Sequence, residues 1–242
     1  SSAPEVSERL RALAESLFGL ERVNWLRIGG PFNFAELNNR GADSCGEPHL
    51  LFLNNDVEFV DRDSIARLQS FLRWPEVGMA GGALYYPDGT LQAAGIRFGS
   101  AGPEVVRDTD SFPLVFREVD ALTLACAACR RDAFEDAGRL DEFLCPNGFG
   151  DALLGHRMKN AGWRTIVDPS TAIRHHESKS RGIRPEEIER SELLREGLPL
   201  YLYGTAWTGP GQDEVQRFGR SKPDLGKRIY RAVKAVRKEL FE

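Results

Sequence analysis

The chain has 242 residues, 41% hydrophobic and 28% charged, with a formal net charge of −4. That supports one large domain, or a domain with an extension. The weakly acidic balance argues against nucleic acid as a partner. No run of about eighteen apolar residues marks a membrane span. Cys45, Cys126, Cys129 and Cys145 are too sparse for a disulfide scaffold, and residues 1–10 lack a signal-peptide pattern, so a cytoplasmic location is expected.

Val6, Leu10, Leu13 and Leu17 recur at helical spacing and predict an amphipathic helix over residues 4–18. Residues 23–28 read as a strand ended by Gly29-Gly30-Pro31. Residues 34–42 read as a short helix closed by Gly41. LLFLNNDVEF, residues 50–59, opens as an unbroken apolar run and stops at Asn54-Asn55-Asp56. Such a run fits a strand buried on both faces of a parallel sheet. Ligands of open α/β sheets bind at the carboxyl ends of strands, where a carboxylate suits a hard divalent cation beside a phosphorylated ligand. A plain strand followed by an Asn/Asp turn would leave the same pattern.

Asp63-Ser64 can cap a helix running to Trp74, with Ile65, Leu68, Phe71 and Leu72 on its buried side. Residues 77–84 form an apolar, glycine-rich strand, and Pro87-Asp88-Gly89 marks a turn before Thr90-Leu91-Gln92. Residues 99–117 read as a surface loop, 119–129 as a core strand, and 130–137 and 151–161 as helices stopped by Gly138 and Gly162. Residues 163–167 read as a strand ended by Asp168-Pro169, and Ile173 leads into His175-His176. The alternation predicts an α/β fold around a mostly parallel sheet. Past Gly182 the composition shifts to a charged helix at 184–196, an apolar and aromatic stretch at 198–207 and a basic helix at 222–242.

Three sets of residues can carry chemistry. Asp56 ends a strand. Asp151 opens a helix, where the dipole favours a carboxylate as general base, although a simple cap looks the same. His175-His176 precede Glu177-Ser178-Lys179-Ser180-Arg181-Gly182; imidazole can ligate a metal, and the following loop can wrap a diphosphate. The alternative is a polar loop with two surface histidines. Cys126-x-x-Cys129 lies in an apolar strand-like run, which favours core cysteines over a zinc site completed by Cys145 and a histidine.

In order, LLFLNNDVEF, VGMAGGALYYPDGTLQAAG, ACAACRRDAFEDAGRLDE, GFGDALLGHRMKNAGWRTIVDP and HHESKSRG resemble the family 2 glycosyltransferases over residues 20–182. The similarity is greatest to bacterial members acting on surface polysaccharides, rhamnosyl- and galactosyl-transferase relatives among them. The resemblance implies a GT-A-like (Rossmann-like) fold, a nucleoside-diphosphate sugar donor, a saccharide or lipid-linked acceptor, Mn2+ or Mg2+ as cofactor, and inversion at the anomeric carbon. It implies that Asn55 and Asp56 belong to the Asp-x-Asp-type element, with Asp56 contacting metal and diphosphate. Asp151 matches the general base, and His175 the histidine of the metal shell. Ser180 and Arg181 match the loop closing over the diphosphate, and Asn39 lies where the nucleotide approaches. Phe149 and Gly150 would shape the acceptor side.

Two departures follow. Asp151-Ala152-Leu153-Leu154 lacks the second acid of the family's Asp-x-Asp-Leu. The strands that bind base and ribose in the family have no counterpart before Ser1, so half of the nucleotide site is expected to be missing and the free sheet edge to favour a homo-oligomer. The expected organisation is a GT-A core at 1–183 and a helical extension at 184–242. Residues 222–242 carry seven Lys/Arg against three Asp/Glu, a pattern suited to peripheral contact with an anionic membrane at the inner face of the cell. The competing readings are a non-catalytic nucleotide- or sugar-binding module of a larger assembly and a zinc-stabilised interaction domain.

Overall fold

The structure is a computed structural model and describes residues 4–99, 102–107 and 115–176. The predicted segments at 184–196, 198–207 and 222–242, and the loop residues Ser180 and Arg181, lie outside them. The first helix, α1 (Pro4–Phe18), falls where its apolar spacing predicts. Leu13 and Leu17 on it are nonetheless exposed, as are Trp25, Leu26 and Phe32 beyond it. Residues 23–28, expected as a strand, pair with no strand among the described residues. Without a partner ladder a β-prone sequence has nowhere to place its backbone hydrogen bonds.

Helix α2 (Phe34–Asp43) starts at Asn33, whose side chain accepts the Glu36 N–H, and runs through Gly41 instead of ending there. The strands β1 (His49–Leu53) and β2 (Val57–Phe59) flank the Asn-Asn-Asp turn. Helix α3 (Ser64–Phe71) follows and buries Leu68 and Leu72, while Ile65 faces outward. Next come β3 (Val77–Tyr85), β4 (Leu91–Ala93), β5 (Ile96–Gly99), β6 (Gly102–Val105), β7 (Arg117–Val119) and β8 (Cys126–Arg130). The chain closes with α4 (Arg131–Asp136), α5 (Gly150–Asn160) and β9 (Arg164–His175).

The main sheet has the order β1-β8-β3-β9-β2, with β4 paired to β3 and β7 to β9. The fold is α/β as expected, but the sheet is mixed and not mostly parallel. Among the described residues only β3–β9 is a parallel ladder, and β8 runs antiparallel to both of its neighbours. Consequently β1, β3 and β9 share a direction while β8 is inverted between them. The inversion was hidden because residues 96–125, of which 99–117 read as a loop and 119–125 as the start of one long strand, hold the β5–β6 hairpin and β7. They return the chain to the other end of the sheet before β8 begins.

The unbroken apolar run of LLFLN also behaves differently from its expectation. β1 is an edge strand whose burial alternates, with Leu50 and Phe52 inward and Leu51 and Leu53 exposed. The strand buried on both faces is β3, from Val77 to Leu84. Its glycines allow close approach: a Cβ on Gly82 would lie 2.2 Å from the Thr171 carbonyl oxygen. There β9 bulges, its register passing from Gly82↔Asp168 to Ala83↔Ala172. Asp168 ties the bulge by accepting from Ser170 N–H and from the Ser170 and Thr171 hydroxyls. Asp168-Pro169 therefore bends the strand without ending it, as proline at a bulge permits, and β9 continues to His175.

Cys126 and Cys129 stand three residues apart on β8, so their side chains leave opposite faces of the sheet. They join separate apolar clusters on the two faces. Burial raises both thiols, Cys126 to about 12. A shared zinc ion is excluded by that geometry, and the core reading of these cysteines holds.

Candidate active site at the carboxyl end of the sheet

Pairing of β2 with β9 sets Val57 opposite His175, and the His176 N–H donates to the Asp56 carbonyl oxygen at 2.9 Å. These bonds bring the acidic turn against the end of β9. His175 Nε2 then lies 3.2 Å from Asp56 Oδ1. The other ring nitrogen, Nδ1, is 2.7 Å from Gln92 Oε1, and both His175 and Gln92 are buried. An amide oxygen only accepts, so Nδ1 carries the proton in this pair. Asn55 sits exposed in the same turn.

Asp151 reaches the site from a different direction. Its helix, α5, begins at Phe149 in the left-handed region, φ 58°. A non-glycine residue there is strained, typically by about 1–2 kcal/mol. The ring of Phe149 is held against Cys145 and Leu153. Asp151 Oδ1 accepts the Ala152 N–H at 2.8 Å in the first turn, where the helix dipole favours negative charge. Gly155 lets the helix body approach the chain: an added Cβ would come within 2.3 Å of Ala121 Cβ. Leu153, at the place of the family's second acid, is buried in the same cluster as Phe149.

Asp151 and His175 line one open cleft of about 260 Å3, with Phe149, Gln92, Thr123 and Arg107 on its walls. Asp56 stands behind the His175 ring and does not line it. Asn39 is bonded within the chain: its amide donates to the Leu140 carbonyl and Glu142 Oε1, and its oxygen accepts the Leu140 N–H. These bonds tie α2 to the loop after α4. Gln92 and Arg107 were not among the sequence candidates. Gln92 had one faint signal, a polar residue closing the Thr90-Leu91-Gln92 stretch beside a turn.

The Asp56–His175 pair fits a divalent cation. Asp56 Oδ1 is buried and has no hydrogen-bond partner among the described residues. With Nδ1–H committed to Gln92, Nε2 is the nitrogen left to face it. A carboxylate oxygen and an imidazole lone pair at this distance repel unless positive charge lies between them. Oxygen and imidazole donors suit Mn2+, and Mg2+ is commonly held by one or two carboxylates with substrate phosphates and water. Among the described residues, no group of three or more His, Cys, Asp or Glu side chains is placed to hold a metal by itself. Substrate oxygens and water would have to complete the shell.

No family model matches the chain. Its sequence is 35% identical over 193 residues to the O-antigen biosynthesis protein RfbC of Myxococcus xanthus, covering 76% of this chain and 15% of that protein. It is 28% identical over 173 residues to the N-acetylglucosaminyl-diphospho-decaprenol L-rhamnosyltransferase of Mycobacterium tuberculosis, covering 62% of this chain and 55% of that enzyme. The chain thus spans between a seventh and about half of the length of these relatives. GalNAc-T7, solved with UDP, GalNAc and Mn2+, superposes with a TM-score of 0.61 at 14% identity, over 100% of this chain and 50% of that one. The mannosyltransferase PcManGT of Pyrobaculum calidifontis, solved with GDP-Man and Mn2+, gives 0.53 at 13% identity, over 97% and 72% of the two chains. By its fold the chain is a GT-A domain, and its sequence is similar to that of an O-antigen biosynthesis protein and of a rhamnosyltransferase.

Proposed function

We propose that this domain transfers a sugar from a nucleoside-diphosphate donor to a hydroxyl of a saccharide or lipid-linked acceptor, with inversion, in the synthesis of a bacterial surface polysaccharide. One observation carries the reading: a buried carboxylate oxygen without a hydrogen-bond partner, Asp56 Oδ1, faces His175 Nε2 at 3.2 Å, and His175 shares a cleft with Asp151. The relatives, one named for O-antigen biosynthesis and one a rhamnosyltransferase, and the structural neighbours solved with UDP or GDP-Man and Mn2+ support it.

Asp56 and His175 would hold a Mn2+ or Mg2+ ion. Bound there, the ion supplies Lewis-acid neutralisation of charge on the departing diphosphate. Asp151, on the cleft wall, takes the proton of the acceptor hydroxyl as that oxygen bonds to the anomeric carbon. The bond from that carbon to the diphosphate oxygen breaks, and its electron pair leaves with the nucleoside diphosphate. A single displacement from the opposite face inverts the centre. Phe149 and Thr123 wall the space in which the acceptor hydroxyl would meet Asp151.

A second reading, a binding module without turnover, is favoured by Leu153. The position of the family's second acid is filled by a buried leucine, so Asp151 lacks that support. Sugar-transfer assays over a panel of nucleoside-diphosphate sugars, with calorimetry of nucleoside diphosphate and Mn2+, separate the two. Asp151→Asn should lower turnover at least about 100-fold and leave binding unchanged. Wild-type protein that binds nucleoside diphosphate and Mn2+ but turns over no donor would establish the module instead.

A further inference from the structure

We infer that Gln92 is the positioning residue that fixes the tautomer of His175 and aims its Nε2 at the cation position beside Asp56. The inference rests on the metal-site reading above and extends it to a residue outside the candidate ligand set.

The first observation is the contact itself. Gln92 Oε1 and His175 Nδ1 are 2.7 Å apart, and both side chains are buried at the wall of the cleft, so each meets little water. The buried ring must satisfy Nδ1 locally, and the amide oxygen accepts its proton. That assignment leaves Nε2 as the ligating nitrogen. The opposite tautomer would place an N–H on Nε2, toward Asp56, and would close that nitrogen to a cation. An acceptor on the remote nitrogen of a metal-binding histidine sets ring orientation in this way, and its loss typically weakens metal binding about 10- to 100-fold.

The second observation is how the backbone delivers the side chain. In the β3–β4 ladder, Leu84 pairs with Ala93 and Tyr85 with Leu91, so Gln92 is the extra residue of a β-bulge. Regular alternation would put Gln92 on the face opposite to Leu91 and Ala93; the bulge breaks that alternation and re-aims one side chain. The turn before it is pinned by Asp88, which accepts from both the N–H and the hydroxyl of Thr90. Behind it, Arg107 Nε donates to the Gln92 carbonyl oxygen at 3.0 Å. The backbone of Gln92 is held from two sides while its amide points at His175. A residue that merely filled core volume would need neither the bulge nor a polar end.

The test has two parts, one independent of metal. The protein has four histidines, so 15N NMR of the imidazoles, with His175 assigned through a His175→Asn variant, reads the tautomer directly. Metal-free wild-type protein at high pH should show His175 protonated on Nδ1. A ring protonated on Nε2 overturns the inference. Mn2+ titrations followed by electron paramagnetic resonance, without donor or acceptor, form the second part. Gln92→Leu should weaken Mn2+ binding about 10- to 100-fold, and Gln92→Glu, which keeps an acceptor, should retain it. Wild-type affinity in Gln92→Leu, or equal losses in both variants, overturns the inference. If Asp56→Asn binds Mn2+ as wild type does, the metal-site reading fails, while the tautomer measurement still decides the role of Gln92.

Discussion

The centre of the described chain and its N-terminal flank hold large apolar side chains in opposite states. Around β3, β8 and β9, side chains such as Met79, Leu68, Phe134 and Ile173 are fully buried. Over α1 and residues 20–32, Leu13, Leu17, Phe18, Leu20 and Phe32 are all more than half exposed. Closeness of approach differs as well. In the centre the glycines sit where a Cβ would collide, at Gly78, Gly82 and Gly155, while Gly29 and Gly30 of the flank meet nothing within 4 Å. The centre is specified by sterics as well as by burial, and it is the part that carries Asp151 and His175.

Matched truncations give the largest expected contrast. Leu68→Ala removes a fully buried side chain between α3 and the sheet and should cost about 2–5 kcal/mol. Leu17→Ala, at 65% exposure, should stay within about 0.5 kcal/mol. Urea unfolding of both variants measures the gap, and equal losses would mean that the flank is covered in solution. Matched glycine substitutions come next. Gly155→Ala forces a methyl group against the Ala121 backbone and should cost about 1–3 kcal/mol, displacing the helix that presents Asp151. Gly29→Ala should be within about 0.5 kcal/mol of wild type. A fully stable Gly155→Ala variant would show that α5 can slide without penalty.

Much of this was legible in the sequence, for local reasons. α1, α4 and α5 follow from apolar spacing and glycine stops. The chemical residues Asp56, Asp151 and His175 stand out because strand ends and helix starts are marked locally. What escaped detection depends on partners. The two-sided burial of LLFLN was misjudged because edge position is a property of the sheet, and among the described residues β1 is paired on one side only. The inverted direction of β8 depends on the hairpin that starts at Ile96, ahead of the stretch that reads as a loop. The bonds of the Asn39 amide to the Leu140 backbone were equally hidden, since they join residues about a hundred positions apart. Gln92 carried only a faint signal beside a turn, since a bulge exists only once two strands have been paired.

The smallest expected effect lies inside the well-built region, at His156. Its ring is buried on α5, edge-on to Phe98, and Nε2 accepts a hydrogen bond from the Asn160 amide. Burial lowers its proton affinity below the ordinary imidazole value of 6.5, and the nearby Lys159 and Arg157 lower it further against a smaller opposing pull from Asp120. The unfolded chain therefore holds the proton more tightly than the folded one. Between the depressed folded value and 6.5 the unfolded state carries more protons, so stability rises with pH across that window. Acidification through 6.5 erodes the fold until the folded value is passed, after which the loss is constant. Thermal melts at pH 5.5 and 7.5 should show a smaller difference for His156→Gln than for wild type. An unchanged difference would assign the acid sensitivity of the centre to groups other than this ring.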